Sequence, residues 1–407
     1  MKSKKLKICL LLPDTFNPDL PARPAIIEIY GNCFHKHQIT WIMSCFDDCD
    51  FRGEIFENVN IQLIPDNKHA PLLVRIYHFI RHYYKKFKLS NQIFKEEDYD
   101  LIQVRNDIWD SFLALYLKRK FKIPFVFQYT FPKNSYKFES SPRLFVKISG
   151  RIEEFLMKII LMKCDFIFPI SDWMQYNILK EGVPPSKIMS LPMGANIHSF
   201  SPEVSGEMVI EKYGLSGSRV VLYAGSLDKM RKLEVIIQAF ASLHGVGNEC
   251  VEDIKLVLVG EGNDKADLES MVKKMGMVDR VIFTGNISYF RIPEFIAAAD
   301  ICLSPIPPLD LYKISSPTKL FEYMAMEKPV LANREIPEQE RILEESEAGV
   351  LVDFNQESFT QGMRYLLDNA PEARVMGKNG RQWVAGNRSY DDMAEDIEKL
   401  YYRLRGD

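Results

Sequence analysis

Short apolar runs alternate with longer amphipathic segments along the second half of the chain. These runs are rich in β-branched residues and lack alternating polar positions; they are 219–224, 254–259, 280–284, 300–304, 329–333 and 349–353. Continuous apolar runs of this length are typical of strands that are buried on both faces, as in a parallel sheet. Because the segments between them have helical periodicity, the pattern predicts an α/β fold with a doubly wound parallel sheet.

The helical periodicity is clearest in three segments of this half. Their apolar residues are Leu233, Ile236, Ile237, Phe240 and Leu243 in the first, Leu268, Met271, Val272 and Met275 in the second, and Met393, Ile397, Leu400, Tyr401 and Leu404 in the third. Gly276 follows the second set, at the position where a helix end favours glycine. Each segment therefore predicts a helix with one face on a core.

The first half repeats this alternation less regularly. Its apolar runs are 6–12, 39–44, 60–64, 100–104, 125–128, 166–170 and 187–191, and the helical face between the first two is made by Ile26, Ile29, Tyr30, Cys33, Phe34 and His37. We therefore predict two Rossmann-like doubly wound domains that face a cleft. Ligands of such sheets bind beyond the carboxyl ends of the strands, so the sites are expected at that cleft.

Charge gives the two halves a different character. The 407 residues have a net charge of −3, but residues 1–200 contain 28 Lys and Arg against 21 Asp and Glu, and residues 201–407 contain 24 against 34. The change falls at the polar, turn-rich stretch 201–206, which is typical of a linker. We predict domains over 1–203 and 204–386, and a terminal helix within 387–407 that crosses back to the first domain. Without an overall positive charge, nucleic-acid binding is not expected.

The sequence shows no sign of secretion or of a membrane span. The first apolar stretch ends at Pro13 and Asp14 without a cleavage site, so we interpret it as a buried strand. No apolar run approaches the ~18–20 residues that a transmembrane helix needs. The seven cysteines have no metal-binding spacing, and we expect them to be reduced. A cytoplasmic protein is predicted, with no metal site.

The loop after the run 219–224 has the features of a phosphate-binding turn. Gly225 lets the backbone turn close to a ligand. Arg231 and Lys232 are expected to open the next helix, where cations oppose the helix dipole and are better explained by a bound anion than by helix propensity. A solvated basic pair explains them equally well. The turn 260–262 is a G-x-G without a third glycine, and it is more typical of a tight turn than of a dinucleotide site.

A second phosphate-binding pattern lies at residues 315–325. Ser316 before Pro317 is typical of an N-cap followed by proline at the first helical position. The backbone amides of Thr318 and Lys319, with the Lys319 charge, then make an anion site. Glu322, one turn later, can accept hydrogen bonds from the two hydroxyls of a ribose. The alternative for Glu322, an exposed helix residue, fits its apolar neighbours less well.

Five segments in order resemble the nucleotide-binding domain of the retaining glycosyltransferases of family 4, which have the GT-B fold. They are SLPMGANIHSFSPE, YAGSLDKMRKLE, VGEG, RVIFTGNI and SSPTKLFEYMA. The segments AGVLVD, MGKNGR and YDDMAEDIEKLYYRL are also similar to this family. The resemblance covers roughly residues 160–407 and is looser before them.

The resemblance implies roles for individual residues. Arg231 and Lys319 would hold the donor diphosphate and stabilise the leaving group as catalytic residues, and Glu322 would bind the ribose. The remaining donor-binding residues would be Gly225, Ser226, Gly285, Asn286, Ile287, Pro317 and Thr318, of which the three at 285–287 would lie near the nucleobase.

The resemblance also implies the reaction. A sugar would pass from a nucleoside-diphosphate sugar to an acceptor hydroxyl with retention of configuration, and fixed cations and helix amides would stabilise the leaving phosphate. No metal and no cofactor are expected, and we favour a UDP-sugar as the donor. The first domain would bind the acceptor, in the synthesis of a cell-surface glycan or a glycolipid.

The chain departs from the family pattern at three places. Ile314 stands where a glutamate that contacts the donor sugar is usual, Ser226 stands where an arginine is usual, and the loop 16–23 lacks the usual glycine pair. These changes leave nucleotide binding in place and put the identity of the sugar in doubt. Arg23 and Arg105 are candidate cleft residues of the first domain, although an arginine at a strand end is usually just solvated.

One basic segment of the first half indicates a membrane surface. Residues 68–95 contain seven Lys or Arg, three His and no acidic residue, and Leu73, Ile76, Tyr77, Ile80, Tyr83, Tyr84 and Phe87 have helical spacing. Such a helix can lie on anionic lipid, each cation contributing about 1 kcal/mol. The more ordinary alternative is a surface helix that packs its apolar face on its own sheet. The first interpretation predicts weak association with the inner face of the membrane and a glycan or lipid-linked acceptor.

Two other functions remain open. A sugar-nucleotide 2-epimerase is similar in its GT-B architecture, but it needs acid and base carboxylates, and Ile314 removes one candidate. A non-catalytic GT-B partner that keeps a nucleotide pocket would tolerate both Ile314 and Ser226. Incubation with labelled nucleotide sugars in the absence of an acceptor separates the three, giving an epimer, slow hydrolysis or no reaction.

Overall fold

The computed structural model describes residues 5–17, 20–45, 56–66, 72–131, 144–243 and 253–406, without the side chains of 72–76 and 144–147. The chain divides into two units, the first comprising Met1–Pro192 and Asp391–Asp407 and the second Met193–Tyr390. The division differs from the expected 203/204 because the segment after Pro192 bonds to the second unit. The Met193 amide donates to Ser316 Oγ at 2.8 Å, and Arg381 donates to the Ile197 carbonyl at 2.9 Å.

The first unit is built on six parallel strands in the order β3-β2-β1-β4-β5-β6. They are β1 (Lys7–Thr15), β2 (Gln38–Cys45), β3 (Val59–Pro65), β4 (Leu101–Arg105), β5 (Phe125–Tyr129) and β6 (Phe166–Pro169). The helices are α1 (Pro24–Ile26, continued by a π-helix over Ile27–Cys33), α2 (Leu72–Glu96), α3 (Ile108–Phe121), α4 (Leu144–Lys163) and α5 (Asp172–Lys180). Six of the seven predicted strands are confirmed.

The seventh predicted strand, at 187–191, is wrong. A 3₁₀ turn covers Pro185–Lys187, and Ile188 makes only an isolated parallel bridge to Ile167. The apolar run resembles a strand, but proline lacks the backbone N–H that a ladder needs and its ring fixes φ, which favours a turn at this position.

The C-terminal helix α15 (Tyr390–Arg405) packs on the first unit. The Tyr401 and Tyr30 hydroxyls lie 2.7 Å apart in the core, and Tyr401 also donates to the Gln103 side chain. At the helix surface, the Glu398 carboxylate accepts from Lys36 Nζ at 2.7 Å. The first unit is therefore completed by residues from the far end of the chain.

The second unit repeats the architecture with six parallel strands in the order β12-β11-β10-β7-β8-β9. They are β7 (Arg219–Ala224), β8 (Ile254–Val259), β9 (Val281–Gly285), β10 (Ile301–Ser304), β11 (Val330–Asn333) and β12 (Gly349–Val352). The helices that connect and flank these strands are α6 (Glu207–Lys212), α7 (Glu234–Leu243), α8 (Lys265–Lys274), α9 (Ile292–Ala297), α10 (Asp310–Lys313), α11 (Thr318–Ala325), α12 (Pro337–Ser346), α13 (Gln356–Asp368) and α14 (Ala370–Asn387). All six strands predicted in this half are confirmed, and so is the α/β fold with two Rossmann-like sheets.

The core of the second unit lies between the sheet and the helices that carry the predicted apolar faces. Leu256, Leu258 and Ile301 of the strands pack with Ile237 and Phe240 of α7. Burying side chains of this size contributes about 1.5–3 kcal/mol each, which is why the continuous apolar runs become central strands.

Helix α2 buries the side opposite to the one that its apolar pattern predicts. Lys86 is buried and donates to the buried Asp110 carboxylate of α3 at 2.6 Å, and His82 is buried one turn earlier. Tyr77, Ile80 and Tyr84 are 60 %, 62 % and 65 % exposed. Packing of the apolar face on its own sheet is therefore wrong for these residues. Lys68 and the side chains of Leu73 and Ile76 lie outside the described residues.

Four of the cysteines, Cys9, Cys33, Cys164 and Cys302, are free. Cys45, at the end of β2, is disulfide-bonded, so the expectation that all seven are reduced is wrong for this residue. Disulfide formation depends on the approach of two Cβ atoms, which sequence spacing does not determine.

None of the helices in the described part of the chain combines the length and apolar character of a membrane-spanning segment.

Candidate functional site

The strand order of the second sheet reverses between β7 and β10. From β7 the chain adds β8 and β9 on one side, whereas β10, β11 and β12 lie on the other. The loops that leave the carboxyl ends of two such strands diverge, and ligands of α/β sheets bind there. Gly225, directly after β7, and Lys319, on α11, meet at this point: a Cβ atom built on Gly225 would lie 2.8 Å from Lys319 Nζ.

The loops after β7 and β8 are locked together beside Gly225. Gly260 has a φ of +138°, and a Cβ atom there would lie 2.0 Å from the Gly225 carbonyl oxygen. The Leu227 amide donates to the Glu261 carbonyl at 2.9 Å, and the Asp264 amide donates to the Leu227 carbonyl at 2.9 Å. The G-x-G turn therefore serves close approach of two backbones, which fixes the loop that carries Gly225.

The Lys319 ammonium lies over the face of a tyrosine ring. Its Nζ is 3.7 Å from the centroid of Tyr223, the fifth residue of β7, and a cation at this distance is attracted by the ring quadrupole. Burial holds the pKa of Lys319 well below its ordinary value, the positive charge of Arg231 lowers the pKa further, and Glu322 opposes both effects. An anion bound beside Lys319 would raise this pKa again and favour the charged form.

Arg231 also lies over a tyrosine ring, with its guanidinium carbon 4.8 Å from the centroid of Tyr312. It belongs to a 3₁₀ turn over Lys229–Arg231, and Lys232 follows with a φ of 49°. The expectation that Arg231 and Lys232 open the next helix is therefore wrong, since α7 begins at Glu234. Lys232 is itself this left-handed residue; it separates the 3₁₀ turn from α7, and its side chain is exposed.

Helix α11 begins one residue later than predicted. Its N-cap is Pro317, whose ring offers no side-chain acceptor, and Ser316 is not the N-cap. The Ser316 hydroxyl instead accepts from the Met193 amide and donates to Glu338, both at 2.8 Å, and these partners are distant in sequence. Thr318 and Lys319 occupy the first helical positions, whose amides have no partner within the helix. The helix N-terminus and the two cations therefore occur together.

Glu322 lies one turn after Lys319 on α11 and is buried, with 7 % of its surface exposed. This burial contradicts the alternative of an ordinary exposed helix residue. The next residue is anchored as well, because the Tyr323 hydroxyl accepts a hydrogen bond from the Ala224 amide at 2.9 Å. The register of α11 against β7 is thereby fixed by a buried contact.

The other predicted donor residues surround the ends of neighbouring strands. Gly285 ends β9 and its carbonyl accepts from the Gly260 amide at 3.1 Å; Asn286 is exposed and Ile287 half-buried. The Ser226 hydroxyl donates to the Asp228 carboxylate. Ile314 follows α10. The loops after β7, β8 and β9 are therefore tied to one another by backbone bonds.

Two glycosyltransferase families match this chain in succession. The family "Glycosyltransferase Family 4" matches residues 35–199, and "Glycosyl transferases group 1" matches residues 208–383, so that together they cover most of the chain. The chain belongs to the GT-B glycosyltransferases of the family 4 type.

Individual relatives agree with this assignment. Alpha-D-kanosaminyltransferase of Streptomyces kanamyceticus is 22 % identical over 298 residues, which are 72 % of this chain and 74 % of that protein. Sucrose-phosphate synthase of Thermosynechococcus elongatus has a similar structure, with a TM-score of 0.78, 19 % identity and coverage of 98 % of this chain and 99 % of that one. The Anabaena protein HepE, solved in complex with UDP-glucose, has a TM-score of 0.71 at 15 % identity, over 97 % and 99 % of the two chains.

The first unit of this glycosyltransferase brings Arg23 and Arg105 together on one carboxylate. Arg23 Nε donates to Asp14 Oδ1 at 3.1 Å, and Arg105 Nη1 donates to Asp14 Oδ2 at 3.4 Å. The alternative of a merely solvated arginine is therefore wrong for Arg105, whose side chain is 15 % exposed, whereas Arg23 is paired with Asp14 and still 58 % exposed. Pro18 and Asp19 of the same predicted loop lie outside the described residues.

Sequence reasoning missed three residues that support these sites in the glycosyltransferase. Tyr223 and Tyr312 lie under the two cations, and Asp14 joins the two arginines. The pattern places Tyr223 only in a strand, and the four residues of α10, which include Tyr312, are too few to show a helical period. Asp14 gave the one available signal, because it follows the apolar run 6–12 and Pro13, and a carboxylate near the end of a strand points to a ligand site.

Proposed function

We propose that this glycosyltransferase binds the diphosphate of a nucleotide sugar at Arg231, Lys319 and the first amides of α11, with Glu322 on the ribose. The observation that carries the proposal is the pair of cations on tyrosine rings beside a helix N-terminus, at the strand-order reversal of the second sheet. Helix N-termini and fixed cations both favour phosphate. We favour a UDP-sugar, as in the HepE complex.

The proposed reaction transfers the sugar with retention and without a metal or a cofactor. The bond between the anomeric carbon and the diphosphate oxygen breaks while a bond to the acceptor oxygen forms on the same face of the sugar. The acceptor proton passes to the leaving phosphate, so no carboxylate nucleophile is needed. Arg231 and Lys319 would stabilise the negative charge that develops on the diphosphate, which is the largest contribution expected of fixed charges in a buried site.

Glu322→Gln is expected to weaken UDP binding about tenfold or more and to weaken dUDP binding by less, because dUDP offers Glu322 only its 3′-hydroxyl. The wild type should bind UDP more tightly than dUDP, because the 2′-hydroxyl adds a second hydrogen bond to the carboxylate, worth about 1.5–3 kcal/mol. Isothermal titration of both nucleotides against both proteins gives the four affinities. GDP, ADP and CDP in the same titration identify the preferred base.

Glu344→Gln is the matched control, since Glu344 is an exposed glutamate of α12 on the same unit. It should bind UDP and dUDP as the wild type does. If Glu322→Gln and the wild type discriminate equally between UDP and dUDP, the ribose contact is refuted. If no nucleoside diphosphate binds the wild type, the proposed function is refuted. An epimerised nucleotide sugar formed without any acceptor would instead indicate the epimerase.

We further propose that the acceptor is a lipid-linked or cell-surface glycan and that the first unit meets it at an anionic membrane, weakly and on its inner face. The α2 face consists of exposed residues on one side of the helix: Tyr77, Ile80, Arg81, Tyr84, Lys85 and Lys88. Its charges are all positive and its apolar side chains are large, which suits an interface of phospholipid head groups and acyl chains. Anionic lipid is the occupant that complements this charge.

Replacing Arg81 and Lys85 together by glutamine is expected to weaken binding to anionic vesicles about 30-fold. Each cation near such a surface contributes about 1 kcal/mol, and two contribute about 2 kcal/mol. Co-sedimentation with phosphatidylglycerol vesicles at low salt measures the partition. The control pair is Lys273→Gln and Lys274→Gln, two exposed lysines of α8 on the second unit. The absence of wild-type binding, or an equal loss in both double variants, would argue against the α2 face.

A further inference from the structure

The Asp14 cluster, defined as Asp14, Arg23 and Arg105, lies where the strand order of the first sheet reverses. β1 pairs with β4, with Leu11 beside Val104, whereas β2 and β3 lie on the other side of β1. Asp14 stands near the carboxyl end of β1, and Arg105 is the last residue of β4. This is the position at which α/β sheets bind ligands, and the second sheet holds its candidate diphosphate site at the equivalent place.

The charges of the Asp14 cluster do not balance. Among the described residues, one carboxylate faces two guanidinium groups, which gives the cluster a net positive charge. Arg105 is half-buried, and burial together with the charge of Arg23 lowers its pKa to about 10 against the opposing effect of Asp14. A desolvated cation that shares its counter-ion is unfavourable unless a further anion is bound.

The geometry also suits an anion. Arg23 approaches Asp14 through Nε and Arg105 through Nη1, so guanidinium groups from two different elements of the fold meet at the two oxygens of one carboxylate. Guanidinium has five N–H donors in a fixed fork that matches carboxylate and phosphate oxygens. Arg23 is 58 % exposed and therefore accessible to a solute, while Arg105 is held in place by its strand.

We propose that the Asp14 cluster binds an anionic group, a carboxylate or a phosphate, on the acceptor sugar. The cluster then selects a charged acceptor over a neutral one, and Asp14 holds the two guanidinium groups at the spacing that the anion needs. The proposal rests on the proposed transfer reaction for the identity of the ligand as the acceptor. Arg23 and Arg105 are thus specificity residues of the first unit.

The test is isothermal titration of the full chain with glucose 6-phosphate, glucuronate and glucose. Both anionic sugars are expected to bind more tightly than glucose, and the comparison between them shows whether phosphate or carboxylate fits better. Arg23→Gln and Arg105→Gln should each weaken the binding of the anionic sugars at least about tenfold, which is the loss of affinity expected when a hydrogen bond between charged groups is removed. Binding of UDP should be unchanged in both variants.

Arg405→Gln is a closely matched control. Arg405 donates to Asp100 at 3.2 Å, and the exposures of this pair are 15 % and 19 %, against 15 % and 17 % for Arg105 and Asp14. Arg405 lies on α15 and Asp100 just before β4, at the opposite end of that strand from Arg105, so this variant should bind the anionic sugars as the wild type does. Equal losses in Arg105→Gln and Arg405→Gln would reduce the effect to general destabilisation and overturn the proposal.

Two further outcomes would overturn it. The anionic sugars could bind no more tightly than glucose, or they could lose affinity in Arg231→Gln and keep it in Arg23→Gln, which would place the anion in the second unit. Failure of the proposed function is seen separately, as an absence of UDP binding by the wild type. The selectivity of the Asp14 cluster for anionic sugars over glucose remains measurable in that case.

Discussion

Lys319→Met is expected to lower kcat/KM for sugar transfer by about 10²–10³-fold, the loss typical of removing one fixed group that stabilises developing negative charge. Lys319 Nζ lies 3.7 Å from the Tyr223 ring centroid and beside Gly225, so the position of the charge is fixed by both. Methionine keeps the apolar stem and removes only the charge. Release of the nucleoside diphosphate from the donor, followed over time, measures the rate.

Lys313→Met is the control for charge removal on the same unit. Lys313 ends α10 and is paired with Asp310 at 2.9 Å on the surface. It should retain the wild-type rate. Thermal unfolding of both variants tests for a folding defect. Lys319→Met should unfold at no lower a temperature than the wild type, because a buried ammonium group lowers the stability of the ligand-free protein. A Lys319→Met enzyme with normal kcat/KM would remove Lys319 from the catalytic residues.

Gly260→Ala is expected to destabilise the second unit by about 3 kcal/mol or more. The new methyl group would lie 2.0 Å from the Gly225 carbonyl oxygen, and the φ of +138° is one that alanine adopts only under strain. The loops after β7 and β8 must separate to accommodate it, so UDP binding should be lost together with stability. Hydrogen exchange of peptides from residues 193–390 reports on this unit alone.

Gly386→Ala is the control for the methyl group itself. Gly386 lies in α14, and among the described residues no neighbouring atom comes within 4 Å of the place that its methyl group would take. Alanine there should leave the second unit unchanged or more stable by about 0.5–1 kcal/mol, because glycine weakens a helix interior. Wild-type protection and UDP affinity in Gly260→Ala would show that the two loops can move apart freely.

The strands and the sheet type could be predicted because their signal is local. The runs at 219–224 and 254–259 are almost entirely apolar, and so short a segment buries both of its faces only as a central strand of a sheet that helices cover on both sides. The predicted helix end at Gly276 is confirmed for the same reason: its φ of +69° is a property of one residue and its two neighbours.

The site could be predicted only in part, because its contacts join distant residues. The sequence indicates Lys319 and Glu322 on one helix, but not that Tyr223, nearly a hundred positions earlier, lies beneath the lysine. Ser316 has the local pattern of an N-cap. Its hydroxyl instead forms hydrogen bonds with the Met193 backbone amide and the Glu338 carboxylate. Local propensity is overridden where a distant partner offers a buried hydrogen bond.

The orientation of α2 follows the same principle. A hydrophobic pattern predicts that Tyr77 and Tyr84 face inward, but Lys86 finds a buried carboxylate in Asp110 of α3. Removing either partner would leave a buried charge uncompensated, which costs more than exposing two tyrosines whose hydroxyls remain hydrated. Periodicity along one helix contains no information about the charge that a second helix presents.

The return of α15 to the first unit has a consequence for synthesis on the ribosome. The first unit is translated first, yet its Tyr30 and Gln103 form hydrogen bonds with Tyr401, which is translated 298 residues after Gln103. The second unit, a continuous segment, can reach its native state earlier. During translation the first unit therefore lacks the core hydrogen bonds of Tyr401 until the second unit has been made, and a truncation that removes α15 would deprive Tyr30 and Gln103 of this partner permanently.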